Sequence, residues 1–442
     1  MTTNWTTLEK TALTHLQNLI RINTTNPPGN ELEAIRYISK ILEEAGIPHQ
    51  IFEPTPGRAN LVARIRGSGT KRPLMLTSHV DVVPAENSGW NLPPFSGELK
   101  DGFIWGRGAI DMKQMTAMSL ALFVEVCQQK IKLPRDLLFV AVCDEEAGCR
   151  WGSKWLVENK PELLDAEYAL NEVGAFSLYV DGHTFYPIGV AEKGLCWFRI
   201  HKKGDPGHGS IPHNNQALPQ LGYAAFNLSK KSLCFHKHDV PAQFIRQIAQ
   251  KISFPQNIIL KKLSSSFWNS LILKFFIKDA KKRAAFHALF HNTASPTIFK
   301  SGQKINVIPS EASLDVDGRL IPGQTITSFL EEVQKILGPG FELERLSEHE
   351  GSEVEHENAF YKTLQQTLIK HDPGATPIPY MNPGFTDAAF YKKLGIKCYG
   401  FVPVKLPPAL NFSELFHGHN ERIPVDGFLF GLKVLWDVIC EG

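Results

Sequence analysis

Histidine and carboxylate side chains recur in this chain at the ends of apolar runs. His79 closes Leu74-Met75-Leu76-Thr77-Ser78, and Asp81 follows two positions on. Residues two apart on an extended chain share a side, so these two suit a metal-binding imidazole with a carboxylate to orient its ring. Asp111 follows the glycine-rich Gly106-Arg107-Gly108 and sits where a helical pattern begins. A second apolar run, Leu137 to Cys143, enters Asp144-Glu145-Glu146, and a third, Tyr168 to Asn171, ends in Glu172. Several carboxylates and a histidine at strand ends form a bed for divalent cations. Plainer readings exist for each residue alone. Asp111 could cap a helix, and Glu145-Glu146 could be a solvated turn, although solubility explains three acids closing an apolar strand poorly.

The elements that must position these groups alternate. Leu8, Leu13, Leu16, Leu19 and Ile20 give residues 6–23 a helical stripe, and 31–45 repeats the pattern. Strand signals follow at 47–52, 60–65, 74–83, 137–143 and 168–172, with a long helix at 112–129. Such alternation predicts an α/β fold with a mixed, mostly parallel sheet flanked by helices, whose site lies beyond the carboxyl ends of the strands. The pattern changes near Gly194 and resumes after Ile321. We therefore expect one discontinuous domain, 1–193 with 322–442, interrupted by a separate module at 194–321. Within it, Phe267 to Ile277 reads most simply as a buried helix; at 11 residues it is too short to span a membrane.

Bulk properties set limits. The formal net charge of +2, with no basic tract, gives no sign of a nucleic-acid partner. No uncharged apolar run reaches the length of a membrane span. The seven cysteines are scattered and odd in number. They read as reduced thiols, and with no secretory pattern at Met1-Thr2-Thr3-Asn4-Trp5 the expectation is a cytoplasmic protein.

Seven stretches then carry a resemblance: SHVDVVP from Ser78, GRGAIDMK from Gly106, DEEAG from Asp144, GHGSIPH from Gly207, NVIPSEASLDVDGR from Asn306, GFTDAAF from Gly384 and HGHNERIP from His417. In this order the chain resembles the dizinc peptidase family of aminoacylase, acetylornithine deacetylase, succinyl-diaminopimelate desuccinylase and glutamate carboxypeptidase. The resemblance implies a metal-dependent hydrolase cleaving an amide bond of an N-acyl amino acid or short peptide with a free carboxylate. It implies two Zn2+ per chain, with Co2+ able to substitute. His79 and Glu172 resemble the ligands of one ion, Glu146 and His417 those of the other, and Asp111 the bridging carboxylate. The family places its histidine just before the glycine, which selects His417 over His419. Glu145 resembles the general base and Asp81 the partner of His79. Arg319 and Asn306 resemble residues that hold the substrate carboxylate, and His208 the histidine that polarises the scissile carbonyl.

The implied module at 194–321 is a small α/β sandwich lid that commonly mediates a homodimer; an enlarged lid folding over its own site would leave a monomer. The resemblance also implies a cis peptide after Asp111. Deacylase and carboxypeptidase or dipeptidase activity both remain open. The alternative from another class is a catalytically inactive relative that binds amino acids or peptides.

Overall fold

The structure is a computed structural model that describes residues 3–86, 88–410 and 414–442. The chain forms two compact units. The first comprises 1–190, 354–380 and 386–442; the second comprises 191–353 with 381–385.

The first unit is built on a mixed sheet. Its strands run in the order His49–Thr55, Arg58–Ile65, Leu137–Val142, Leu74–His79, Tyr168–Asn171, Lys397–Gly400, His183–Glu192. The central pairings, Leu74–His79 with Leu137–Val142 and with Tyr168–Asn171, and Tyr168–Asn171 with Lys397–Gly400, are parallel. The flanking ones are antiparallel. Every residue of Leu74–His79 and Leu137–Val142 is buried. That is why these strands read as continuous apolar runs rather than as alternation. The helix Lys113–Gln128 packs on Leu74–His79 and is itself covered by Trp5–Arg21 and Val425–Glu441. It is buried almost all round, which matches its Ala, Leu and Met content. A small antiparallel sheet of Glu98–Lys100, Phe103–Trp105 and Arg422–Pro424 carries the C-terminal segment to the loop before Asp111.

The second unit has a four-stranded antiparallel sheet in the order Thr293–Ser301, Glu311–Leu320, Gly194–Lys203, Glu342–His349. Along Glu311–Leu320 burial alternates residue by residue, so one face is apolar. Phe198, Ile200, Leu314 and Val316 pack there against Leu221 and Leu228 of helix Ala217–Lys230, and against Phe329 and Val333 of helix Ile326–Leu337. The expected boundary at 321 is therefore too early. The helix Ile326–Leu337 completes this core, and Glu342–His349 pairs with Gly194–Lys203. The helix and strand alternation that resumes after Ile321 resembles that of the first unit, although its first two elements pack in the second.

Four further helices lie between helix Ala217–Lys230 and strand Thr293–Ser301: Asp239–Lys251, Gln256–Lys262, Ser266–Phe275 and Ala280–Ala288. The expected buried helix at 267–277 is present but is not buried throughout. Ile272 and Leu273 are covered, whereas Phe267 is 71% and Phe275 61% exposed. Among the described residues no helix is long and apolar enough to cross a membrane.

Candidate active site and metal centre

Three adjacent parallel strands deliver the ligand-type side chains at their carboxyl ends. His79 is the last residue of its strand and lies opposite Val142 of the next. The chain leaves Val142 through Asp144, whose φ of 69° turns it into a single 3-10 turn, Glu145–Ala147. The strand on the other side, Tyr168–Asn171, leads directly into Glu172. Asp111 arrives through the glycine loop. Gly108, at φ +89°, has no room for a side chain, since a Cβ there would meet Lys113 and Val82 at 2.9 Å. The Asp111–Met112 peptide is cis.

Asp111 faces two histidines, one with each oxygen. Its Oδ1 lies 3.2 Å from His79 Nε2, and its Oδ2 lies 3.2 Å from His417 Nε2. Glu172 Oε2 stands 3.6 Å from His79 Nε2, and Glu146 Oε2 stands 3.3 Å from His417 Nε2. Two half-sites thus share one carboxylate. The Glu145 carboxyl falls within 4.8 Å of His79 and Glu172. His419 points elsewhere, 3.4 Å from Glu86.

The donor set fits divalent cations. Oε1 of Glu146 and Oε1 of Glu172 are buried without a hydrogen-bond partner, a state that native proteins avoid unless another group completes it. Burial, then the Glu172 charge, pushes Glu145 well above the ordinary carboxylate range. Burial lifts Glu172 to about 8, and burial together with Asp111 raises Glu146. Hydrogen bonds to Asp111 and Glu146 lift His417 to about 10. Burial alone would lower His79, but Asp111, Asp81 and Glu172 outweigh it and hold the imidazole well above its usual value. Burial would raise Asp111; its two histidines outweigh that and hold it low. Four carboxyl groups in so dry a place are short of positive charge, which a bound cation supplies.

The supports of this cluster are as well defined as the cluster. His79 Nδ1 is 3.0 Å from the Asp81 carbonyl oxygen and 3.5 Å from its carboxylate, so main chain and side chain of Asp81 both orient the ring. The same carboxylate accepts the backbone N–H groups of Glu145 and Glu146 at 3.2 and 3.1 Å, and the Asn26 amide at 2.8 Å. Asn26 also donates to Asp144, which pairs with Arg58, and Arg58 pairs with Glu31. Glu421 holds the Asp111 loop. Its Oε1 accepts N–H bonds from Gly108, Ile110 and Asp111, and its Oε2 pairs with Arg107. Arg107 in turn donates to the His417 carbonyl. Asp387 lies beside the cluster, bonded to Ser153, with its own carboxyl raised to about 6 by burial.

Asn26, Asp144, Glu421 and Arg107 were not singled out from sequence. All but Asn26 fall inside the motif stretches; Asn26 lies between the first two helical stripes, in Asn26-Pro27-Pro28-Gly29.

The remaining expected residues lie in the second unit, at two different places. His208 is exposed, bonded to Ser210, and sits on a two-residue strand paired with Val307. Asn306 is its neighbour, accepting the Gly209 N–H with its carbonyl. Arg319 lies near the other end of strand Glu311–Leu320. It is bound to Asp317 at 2.8 Å and stacked over Phe385, and its Nη1 is buried without a hydrogen-bond partner.

A mixed α/β unit with paired half-sites of His and carboxylate at the ends of parallel strands defines a metal-dependent hydrolase. Residues 75–441 match peptidase family M20/M25/M40, and the chain belongs to that family. It is 28% identical over 448 residues to the N-fatty-acyl-amino acid synthase/hydrolase PM20D1 of Bos taurus, covering 97% of this chain and 87% of that one. It is 26% identical over 440 residues to aminoacylase-1 of Dictyostelium discoideum, covering 98% and 97%. The M20 family metallo-carboxypeptidase Sso-CP2 from Sulfolobus solfataricus superposes with a TM-score of 0.72 at 18% identity, over 97% of this chain and 98% of that one. The chain is thus a metallo-amidohydrolase of the M20 class.

Proposed function

We propose that this enzyme removes the acyl group from N-acyl amino acids that carry a free carboxylate. The observation that carries the reading is Asp111, which presents one oxygen to each of two histidines. One cation would be held by His79, Asp111 and Glu172, the other by His417, Asp111 and Glu146, with Zn2+ as the metal and Co2+ able to replace it. When bound, such a pair lowers the pKa of water and neutralises charge developing on a scissile carbonyl. Glu145, adjacent to a ligand but outside the ligand set, takes the proton from the attacking water and gives it to the leaving nitrogen. Asp81 holds Glu145 and Glu146 by their N–H groups and so fixes where each points. Arg319 offers a planar, two-pronged donor to the substrate carboxylate.

The names of two relatives, N-fatty-acyl-amino acid synthase/hydrolase and aminoacylase-1, support reading deacylation ahead of peptide cleavage. Carboxypeptidase action is the second reading, on the fold shared with a metallo-carboxypeptidase.

The second unit's geometry supports a homodimer. His208 and Asn306 lie by the start of strand Glu311–Leu320, and Arg319 lies near its end. Arg319 lies eight residue steps along the strand from Glu311, roughly 25 Å. One substrate cannot span both ends within one chain, so the roles proposed for His208, Asn306 and Arg319 together call on two copies. A reducing, cytoplasmic setting fits seven cysteines that are all free thiols.

The test is turnover by zinc-loaded protein of N-acyl amino acids, their carboxamides and C-terminal dipeptides. Free-acid N-acyl substrates should be cleaved fastest, and Arg319→Lys should raise their KM. Equal rates on the carboxamides would overturn the carboxylate reading, and faster cleavage of dipeptides would move the enzyme to the second one.

A further inference from the structure

We propose that the helical insertion of the second unit docks on an anionic lipid surface. Residues 251–283 contain eight basic side chains against one acid, Asp279. Most of the basic groups are exposed. The helix Ser266–Phe275 has two apolar faces. One is fixed inside its own unit: Ile272 and Leu273 are buried, and Asn269 donates to the Leu263 carbonyl and meets His291 Nε2 at 3.0 Å through Oδ1. The other shows Phe267, Trp268, Leu271 and Phe275 to solvent, continued by Phe276. Asn269 prevents the helix from rolling to hide them. Contiguous exposed aromatic groups mark an interaction site rather than a packing accident.

The charge pattern selects the occupant. Lys262 lies 4.4 Å over the Trp268 ring and Lys274 lies 5.2 Å over Phe275, so ammonium groups rim the aromatic face. A second copy meeting this face through a two-fold axis would set lysines against lysines, and lysine is depleted at protein interface cores. Aromatic rings sinking to the headgroup boundary beneath lysines that reach outward fit a short helix lying flat on anionic lipid. At ten residues the helix cannot span a bilayer.

The experiment is flotation of the full-length protein with phosphatidylcholine vesicles, with and without phosphatidylserine. It is repeated for a Phe267→Ser/Trp268→Ser/Phe275→Ser variant and for Lys261→Glu/Lys262→Glu. The wild type should float with the phosphatidylserine vesicles, be released by salt, and bind pure phosphatidylcholine weakly. Each ring removed should weaken partitioning roughly tenfold or more, and each lysine removed about fivefold. Hydrolysis of a short-chain soluble substrate should be unchanged, which also reports that the variants fold. Should the triple variant not fold, quenching of wild-type tryptophan fluorescence by brominated lipid, diminished in Trp268→Phe, reads the same contact. The proposal is overturned if the wild type ignores phosphatidylserine vesicles or if both variants float unchanged. It is also overturned if the triple variant merely converts a wild-type dimer into a monomer, which would give the face to a second copy.

Discussion

Glu145 and Glu146 are chain neighbours with different surroundings. Glu146 leans 3.3 Å from His417 while Glu145 falls among His79 and Glu172. The short 3-10 turn that begins after Asp144 divides them, and the Asp81 carboxylate pins both of their N–H groups. One can therefore bind metal while the other handles a proton. Replacing Glu145 with Gln keeps size and removes the proposed base. Turnover should fall about 10²–10⁴-fold while metal content, read by elemental analysis, stays at the wild-type level. A variant that loses its metal along with its activity would make Glu145 a ligand instead. His79, Asp111, Glu145, Glu146 and Glu172 stood out in sequence because they close apolar runs or precede a helix, whereas His417 came only from the resemblance of its HGHNERIP stretch. Their supports were less visible: a buried Asn26 amide or Glu421 carboxylate is recognised only by the N–H and carboxylate groups it meets across the fold.

At the scale of elements, the site is a meeting of strand ends with two loops that need outside help. The Gly106–Asp111 loop has no regular structure to hold its N–H groups. Glu421 accepts three of them, because the strand Arg422–Pro424 pairs with Phe103–Trp105 and sets Glu421 beside the loop. Glu421→Ala should leave those N–H groups unpaired, let Asp111 drift and weaken metal affinity about 10–100-fold. A competition titration against a chelator reads that loss, and excess metal should restore most of kcat. Unchanged affinity would show that the loop holds itself. The central strands were legible because burial on both faces makes them continuously apolar. The insertion misled at Phe267–Ile277 for a related reason: an apolar run does not say whether both of its faces find partners, and here only one does.

At the scale of the whole molecule, the family match covers 75–441 and so includes both units. The boundary at 321 was misplaced because helix Ile326–Leu337 and strand Glu342–His349 continue the alternation of the first unit while packing in the second. The separation of His208 and Asn306 from Arg319 along one strand could not be read from motifs, which give order but not which end of a sheet each occupies. It leads to a complementation experiment. A His208→Ala chain mixed with a Glu145→Ala chain under exchanging conditions should regain activity, since one site of the mixed dimer keeps both residues. No recovery in proven mixed dimers would place His208 in its own chain's site or outside catalysis.

The central claim is that Asp111 serves two cations at once. The most direct measurement is activity against zinc added stepwise to chelator-stripped protein, with bound zinc counted at each step. Two sites sharing one carboxylate predict that full activity needs two equivalents per chain, and that Asp111→Asn cannot reach two equivalents or wild-type activity at any zinc level. Full activity at one equivalent, with no further binding, would contradict it.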